Sequence, residues 1–147
     1  GLREIGVQAV VAGLETLSGP EQIPDLVEGL GPRSLVLGLD LRDGAPIGDP
    51  RSWGPRDAAS IARLARSKGV MRFLVLDLAL VGAEKGPPVE AVRSVIARVP
   101  DGEVLAGGGI RGIEDLKALS AAGAAGALIA TAFHRGAIDR AALGLLG

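Results

Sequence analysis

Three consecutive glycines, Gly107-Gly108-Gly109, follow the short apolar run Glu103–Ala106 and precede Ile110-Arg111 and an amphipathic segment. Residues without side chains between a strand and a helix start leave backbone N–H groups bare and convergent, a donor set suited to a phosphate oxyanion. Arg111 is placed to clamp such an anion or to lie on the surface, where most arginines are found. A second small-residue turn, Ala130-Thr131-Ala132, closes the apolar run Gly126–Ala130 and offers a matching loop. Gly13, which ends the run Ala9–Ala12, is a candidate for a second phosphate, although Glu15 and Thr16 follow it and a carboxylate repels an anion. Two carboxyls complete the set. Asp40 closes the run Ser34–Leu39 and Asp77 the run Phe73–Leu78. Paired carboxyls in one pocket push their pKa values apart and so divide acid from base.

The apolar runs are short, unbroken and rich in Leu and β-branched residues, the pattern of strands buried on both faces of a parallel sheet. Between them lie segments with helical spacing: Pro20–Leu30, Arg56–Lys68, Pro88–Val99 and Ile113–Ala122. Pro55 suits the first turn of the second, and Gly69 and Gly123 suit C-terminal caps. Leu2–Ile5 reads as the end of a helix. Five βα units in succession predict an α/β fold with right-handed crossovers. Two consecutive phosphate-type loops make that fold a (β/α)8 barrel of which about five units are present, in one domain over 1–147. Gly6–Gly13 echoes Gly123–Ala130 in its order of glycine, small and aliphatic positions, as a twofold-repeated barrel would. The outer strands are apolar, so a further N-terminal portion or a second copy of the chain is expected to cover them.

Composition narrows the functions. The 147 residues carry a formal charge of −1, which gives no basic field for nucleic acid or for an anionic membrane. There is no cysteine and one histidine, His134, so a cysteine or zinc site is not expected and a reducing cytoplasm suits the chain. No apolar run has the length of a membrane span. Trp53 is expected to pack over a barrel end and His134 to bond a carbonyl or face solvent.

In this order and spacing the motifs resemble the histidine-biosynthesis barrel family, which comprises the ProFAR isomerase and the cyclase subunit of imidazole-glycerol-phosphate synthase. The chain aligns with the family's strands four to eight. Ser34–Gly44, with its run Asp40-Leu41-Arg42-Asp43-Gly44, is similar to strand five. Ala106–Leu116 is similar to the phosphate loop after strand seven, and Ala127–Asp139 to the closing strand. The resemblance implies a sugar-phosphate isomerase without metal or organic cofactor. Asp40 would be the general acid of an Amadori rearrangement, or a residue that caps the next turn and pairs with Arg42; Asp77 would be a second acid–base or hydroxyl-orienting group, or an acceptor for backbone N–H groups of the loop Val81–Gly86; and a phosphorylated small molecule would be the substrate. The chain also departs from the pattern. Leu76–Pro87 lacks the D-G-T of strand six, Ser52-Trp53-Gly54 replaces Gly-Trp, Ala130 replaces a glycine, and the first-strand Asp has no counterpart. Two alternatives stay open: a lyase or synthase on the same scaffold, and a phosphate-binding half-barrel without catalysis.

Overall fold

The computed structural model describes residues 2–48, 50–54, 57–139 and 141, and of Leu2, Arg3, Pro50, Arg51, Thr131 and Phe133 only the backbone. Five parallel strands run β1 (Val10–Gly13), β2 (Leu35–Arg42), β4 (Arg72–Asp77), β5 (Glu103–Gly107) and β6 (Gly126–Leu128), paired in chain order. A two-residue strand, β3 (Ala45–Pro46), turns back antiparallel on the end of β2. Helices α1 (Ile23–Leu30), α3 (Ala58–Ser67), α4 (Val89–Arg98) and α5 (Ile113–Ala121) connect successive strands, with the single turns α2 (Pro50–Trp53) and α6 (Thr131–His134) at the C-terminal side of β2 and β6. This is the parallel α/β sheet expected, and it is consistent with a partial (β/α) barrel. No described helix is long and apolar enough to cross a membrane.

Alternation along the strands decides what reaches the site. Leu35, Leu37, Leu39 and Leu41 of β2, with Phe73 and Val75 of β4 and Val104 and Ala106 of β5, are buried in one core with Ile61, Ala62 and Ala65 of α3 and Val92 and Val95 of α4. The alanines on α3 let helix and sheet approach closely, and the interior is almost wholly aliphatic. The alternate residues Val36, Gly38 and Asp40 of β2 and Leu74 and Leu76 of β4 belong to the other face of the sheet. Its end strands, among the described residues, are β1 and β6, and both leave an aliphatic side chain of this face exposed, Val11 at 56% and Leu128 at 52%.

The echo between Gly6–Gly13 and Gly123–Ala130 has a structural counterpart. Gly6 and Gly123 both take positive φ, +84° and +98°, and the strands that follow them, β1 and β6, are the two ends of the sheet among the described residues. Several boundaries differ from the sequence reading. The segment α3 begins at Ala58 because the Asp57 carboxylate caps it, accepting from Ser60 N at 2.9 Å; Pro55 and Arg56 lie outside the described residues. Leu2–Ile5 is a 3-10 turn, and Pro20–Gln22 is another that leads into α1. Gly69 and Gly123 follow their helices at positive φ, as caps do.

Candidate active site

The loops after β1, β2, β4, β5 and β6 gather at the carboxyl ends of the parallel strands, the place where open and closed α/β sheets bind ligands. A cavity of about 410 Å3 lies there, over the ends of β4, β5 and β6. Leu76, Gly108, Gly109, Arg111, Leu128 and Ala130 are among its lining residues. Gly108 and Gly109 take φ +91° and +72°, the left-handed region that favours glycine. A methyl group on Gly108 would sit 2.7 Å from the Asp77 carbonyl oxygen, and one on Gly109 would overlap the Gly86 carbonyl. Gly86 N in turn donates to the Gly109 carbonyl at 3.1 Å. The glycines are therefore required by the crossing of two backbones, whether or not a ligand is bound. Among the described residues no acceptor takes the N–H of Gly108, Gly109 or Ile110, so these three donors at the cavity are uncommitted.

Arg111 is engaged differently from the clamp expected of it. Its Nε and Nη2 donate to the two carboxylate oxygens of Asp115 at 2.9 and 2.7 Å, and its backbone N–H donates to the same carboxylate at 2.8 Å. Asp115 is buried in the first turn of α5. The side-chain hydrogen bond from Arg111 holds its carboxyl below the usual aspartate value against a smaller cost of burial. The positive end of α5 is thus already faced by a carboxylate of its own first turn. Arg111 staples the glycine loop to that helix and lies against Gly86.

Asp40 and Asp77 occupy neighbouring strand ends, with Asp40 opposite Leu76 and Leu41 opposite Asp77 in the register. Register partners in a parallel pair share a face, so the two aspartates sit on opposite faces of the sheet. Asp77 is buried, and its carboxylate accepts from the backbone N–H of Asp43 at 3.2 Å, Gly44 at 2.9 Å and Ala79 at 3.0 Å. It fixes the turn between β2 and β3 and the start of the loop after β4; it does not share a pocket with Asp40.

Asp40 is partly buried beside Leu76, a floor residue of the cavity. Its partner was not foreseen as such. Glu15, in the 3-10 turn Leu14–Thr16 after β1, folds back so that its carboxylate lies over Gly13, 2.5 Å from where a Cβ there would be. The carboxyls of Glu15 and Asp40 lie within hydrogen-bonding reach of each other. Burial, then the charge of Glu15, then hydrogen bonding to it raise Asp40 above the usual aspartate value. The pairing Gly13↔Gly38 between β1 and β2 makes this possible, since two bare positions lie side by side below the carboxyls. The space over Gly13, expected to take a second phosphate, holds this carboxylate. The clue in the sequence is Glu15 itself, a carboxylate two residues after a glycine expected to take an anion.

Trp53 is 3% exposed, inside the main core, and its indole Nε1 is the buried side-chain donor without a partner among the described residues. His134 is exposed on α6. The second loop contributes Ala130 and Ala132 to the cavity; of Thr131 only the backbone is described. Among the described residues no group of three metal-ligating side chains comes together.

A parallel βα succession with its loops gathered at the carboxyl ends of the strands defines a protein of the (β/α) barrel class. A profile of histidine biosynthesis proteins matches residues 1–139, and the chain belongs to that family. Three curated relatives share the enzyme name 1-(5-phosphoribosyl)-5-((5-phosphoribosylamino)methylideneamino)imidazole-4-carboxamide isomerase. The protein of that name from Methanothrix thermoacetophila is 33% identical over 139 residues, 92% of this chain and 56% of its own length. That from Alkalilimnicola ehrlichii is 33% identical over 147 residues, covering 96% of this chain and 58% of the relative. That from Dinoroseobacter shibae is 34% identical over 141 residues, with 92% and 57% covered. The chain spans less than two thirds of the length of these relatives.

Proposed function

We propose that this chain carries the acid-bearing and phosphate-holding side of an aldose–ketose isomerase that acts on a phosphorylated aminoaldose, the ProFAR type of Amadori rearrangement, without metal or organic cofactor. One observation carries the reading. A carboxyl held above its ordinary value, Asp40, stands next to the floor residue of a cavity edged by backbone donors that take no acceptor among the described residues. The rearrangement needs a proton delivered to the ring oxygen to open the sugar, and an acid whose pKa has been raised holds one to deliver. Asp40 is that acid, and Glu15 helps to keep it protonated.

The N–H groups of Gly108, Gly109 and Ile110, with the Ala130–Thr131 turn facing them, hold the phosphate. Gly107 gives the strand end room, since a Cβ there would press on Leu76 and Leu128 at 3.1 and 3.2 Å. Arg111 and Asp77 are positioning residues, the first for the glycine loop and the second for the β2–β3 turn. A second phosphate at Gly13 requires the Glu15 carboxylate to turn away. The base that removes the C2 proton is assigned to no residue of this chain. In the working protein the outer edges of β1 and β6 are covered by further βα units or a second copy, as the greater length of the relatives supports.

The test is isomerase turnover of the protein with Asp40 intact and with Asp40→Asn. A fall of about 10²- to 10⁴-fold is the scale of a lost general acid. Equal turnover in the two proteins would remove Asp40 from the mechanism. A second reading, a different reaction on another phosphorylated compound, draws on the aliphatic residues Leu78 and Val81 at the cavity, where the D-G-T of strand six is missing. Phosphate binding without ProFAR turnover would favour it.

A further inference from the structure

Among the described residues, two cations line the cavity, Arg111 and Arg135, and one carboxylate, Glu84. They are not equivalent. One edge of the Arg111 guanidinium, Nε with Nη2, is spent on the buried Asp115, and its backbone N–H is bound to the same carboxylate. Arg135, just past α6, pairs with Glu84, which reaches across from the loop after β4. These two side chains are 58% and 56% exposed, so the pair is solvated at both ends and its partners are exchangeable. Glu84 is also a non-glycine residue at positive φ, +53°.

We propose that Arg135 is the side chain that meets the substrate's phosphate in this cavity, and that Glu84 holds its guanidinium until the phosphate displaces it. The inference rests on the reading of the glycine loops given above and adds to it the residue that sets anion selectivity. A guanidinium meets a phosphate through two parallel N–H donors, which the backbone amides of the opposite loop cannot supply. Glu84 then acts as a filter. A monoanionic carboxylate that enters exchanges one carboxylate for another and gains little. A dianionic phosphate brings more charge to the same guanidinium and also satisfies Gly108, Gly109 and Ile110. The exchange involves no covalent step.

The experiment is titration of the protein with inorganic phosphate, and separately with acetate, read by calorimetry and by amide resonances, for the unaltered chain, Glu84→Gln, Arg135→Gln and the double variant. Both side chains are more than half exposed, so melting temperature serves as the control for folding. The expected results are phosphate binding tightened several-fold in Glu84→Gln, weakened about tenfold in Arg135→Gln, and unaffected by Glu84→Gln once Arg135 is gone. Selectivity for phosphate over acetate should fall in Arg135→Gln. If the unaltered chain binds phosphate at Gly108–Ile110 and Arg135→Gln binds it equally well, the inference is wrong and the loop reading stands. If the unaltered chain shows no phosphate response at those amides, the loop reading itself fails and takes the inference with it.

Discussion

The Glu15 and Asp40 carboxyls meet across β1 and β2, over the adjacent glycines Gly13 and Gly38, within hydrogen-bonding reach of each other. Two carboxyls in contact cannot both ionise without cost, so the neighbouring Glu15 raises Asp40 above the ordinary aspartate value. Burial, the neighbouring charge and the hydrogen bond all act in the direction that a general acid needs.

The pair makes stability depend on pH. Asp40 is raised above 3.8 in the folded chain, so its contribution is fully present below that value and is lost as pH rises through the raised one. Asp40→Asn removes the group that must ionise. The melting temperature of the variant, relative to the unaltered chain, should therefore climb between pH 3 and pH 7, by a few degrees at most because solvent screens a partly exposed carboxyl. A difference that does not change with pH would mean that the two carboxyls do not interact.

Asp77 should matter to folding more than to chemistry. Its carboxylate takes three backbone N–H groups at the carboxyl ends of β2 and β4. Asp77→Ala leaves these donors without an acceptor and should cost about 3 kcal/mol, the scale of a charged hydrogen-bond set lost in a buried place. Denaturant melts measure it. A cost below about 0.5 kcal/mol, the range of an ordinary surface change, would contradict the assignment.

Gly109→Ala tests the crossing of the loops. The new methyl would overlap the Gly86 carbonyl, and the residue sits at φ +72°. The loops after β4 and β5 must separate, with a loss of about 1–3 kcal/mol and of phosphate binding together. Gly136, also at positive φ but with open space around it, is the comparison. Gly136→Ala should cost no more than about 1 kcal/mol and leave phosphate binding intact.

Asp115 gives the opposite pH sign to Asp40. Arg111 lowers its carboxyl below 3.8, so its contribution is present above that value and is lost as pH falls through the lowered one. Asp115→Asn should be destabilised at neutral pH and should converge on the unaltered chain under acid. Acid and urea melts decide it; destabilisation that persists unchanged at the lowest pH would place the role of Asp115 in packing.

Much of the fold could be read from the chain because burial on both faces writes unbroken aliphatic runs. Leu35–Leu39 and Phe73–Val75 could only be strands of a covered parallel sheet. The turn elements β3 and α2 escaped, since two- and four-residue segments have no period to detect. At the site, glycine position was legible, but its cause was only half seen: the triple glycine is needed for a backbone crossing that no local pattern reveals. Asp40 and Asp77 look alike in sequence, each ending an aliphatic run. A shift of one residue in register puts them on opposite faces, so one reaches the cavity side and the other disappears into a turn. The Glu15–Asp40 contact joins residues far apart in the chain and appears only once β1 and β2 pair.

The central claim is that the glycine-built loops form a phosphate site beside Asp40, and amide resonances of the protein titrated with ribose 5-phosphate test it most directly. The account predicts saturable shifts at Gly108, Gly109 and Ile110, with smaller ones at Ala130 and Thr131 and a perturbation at Asp40. Shifts absent from these residues, or concentrated elsewhere on the sheet, would contradict it.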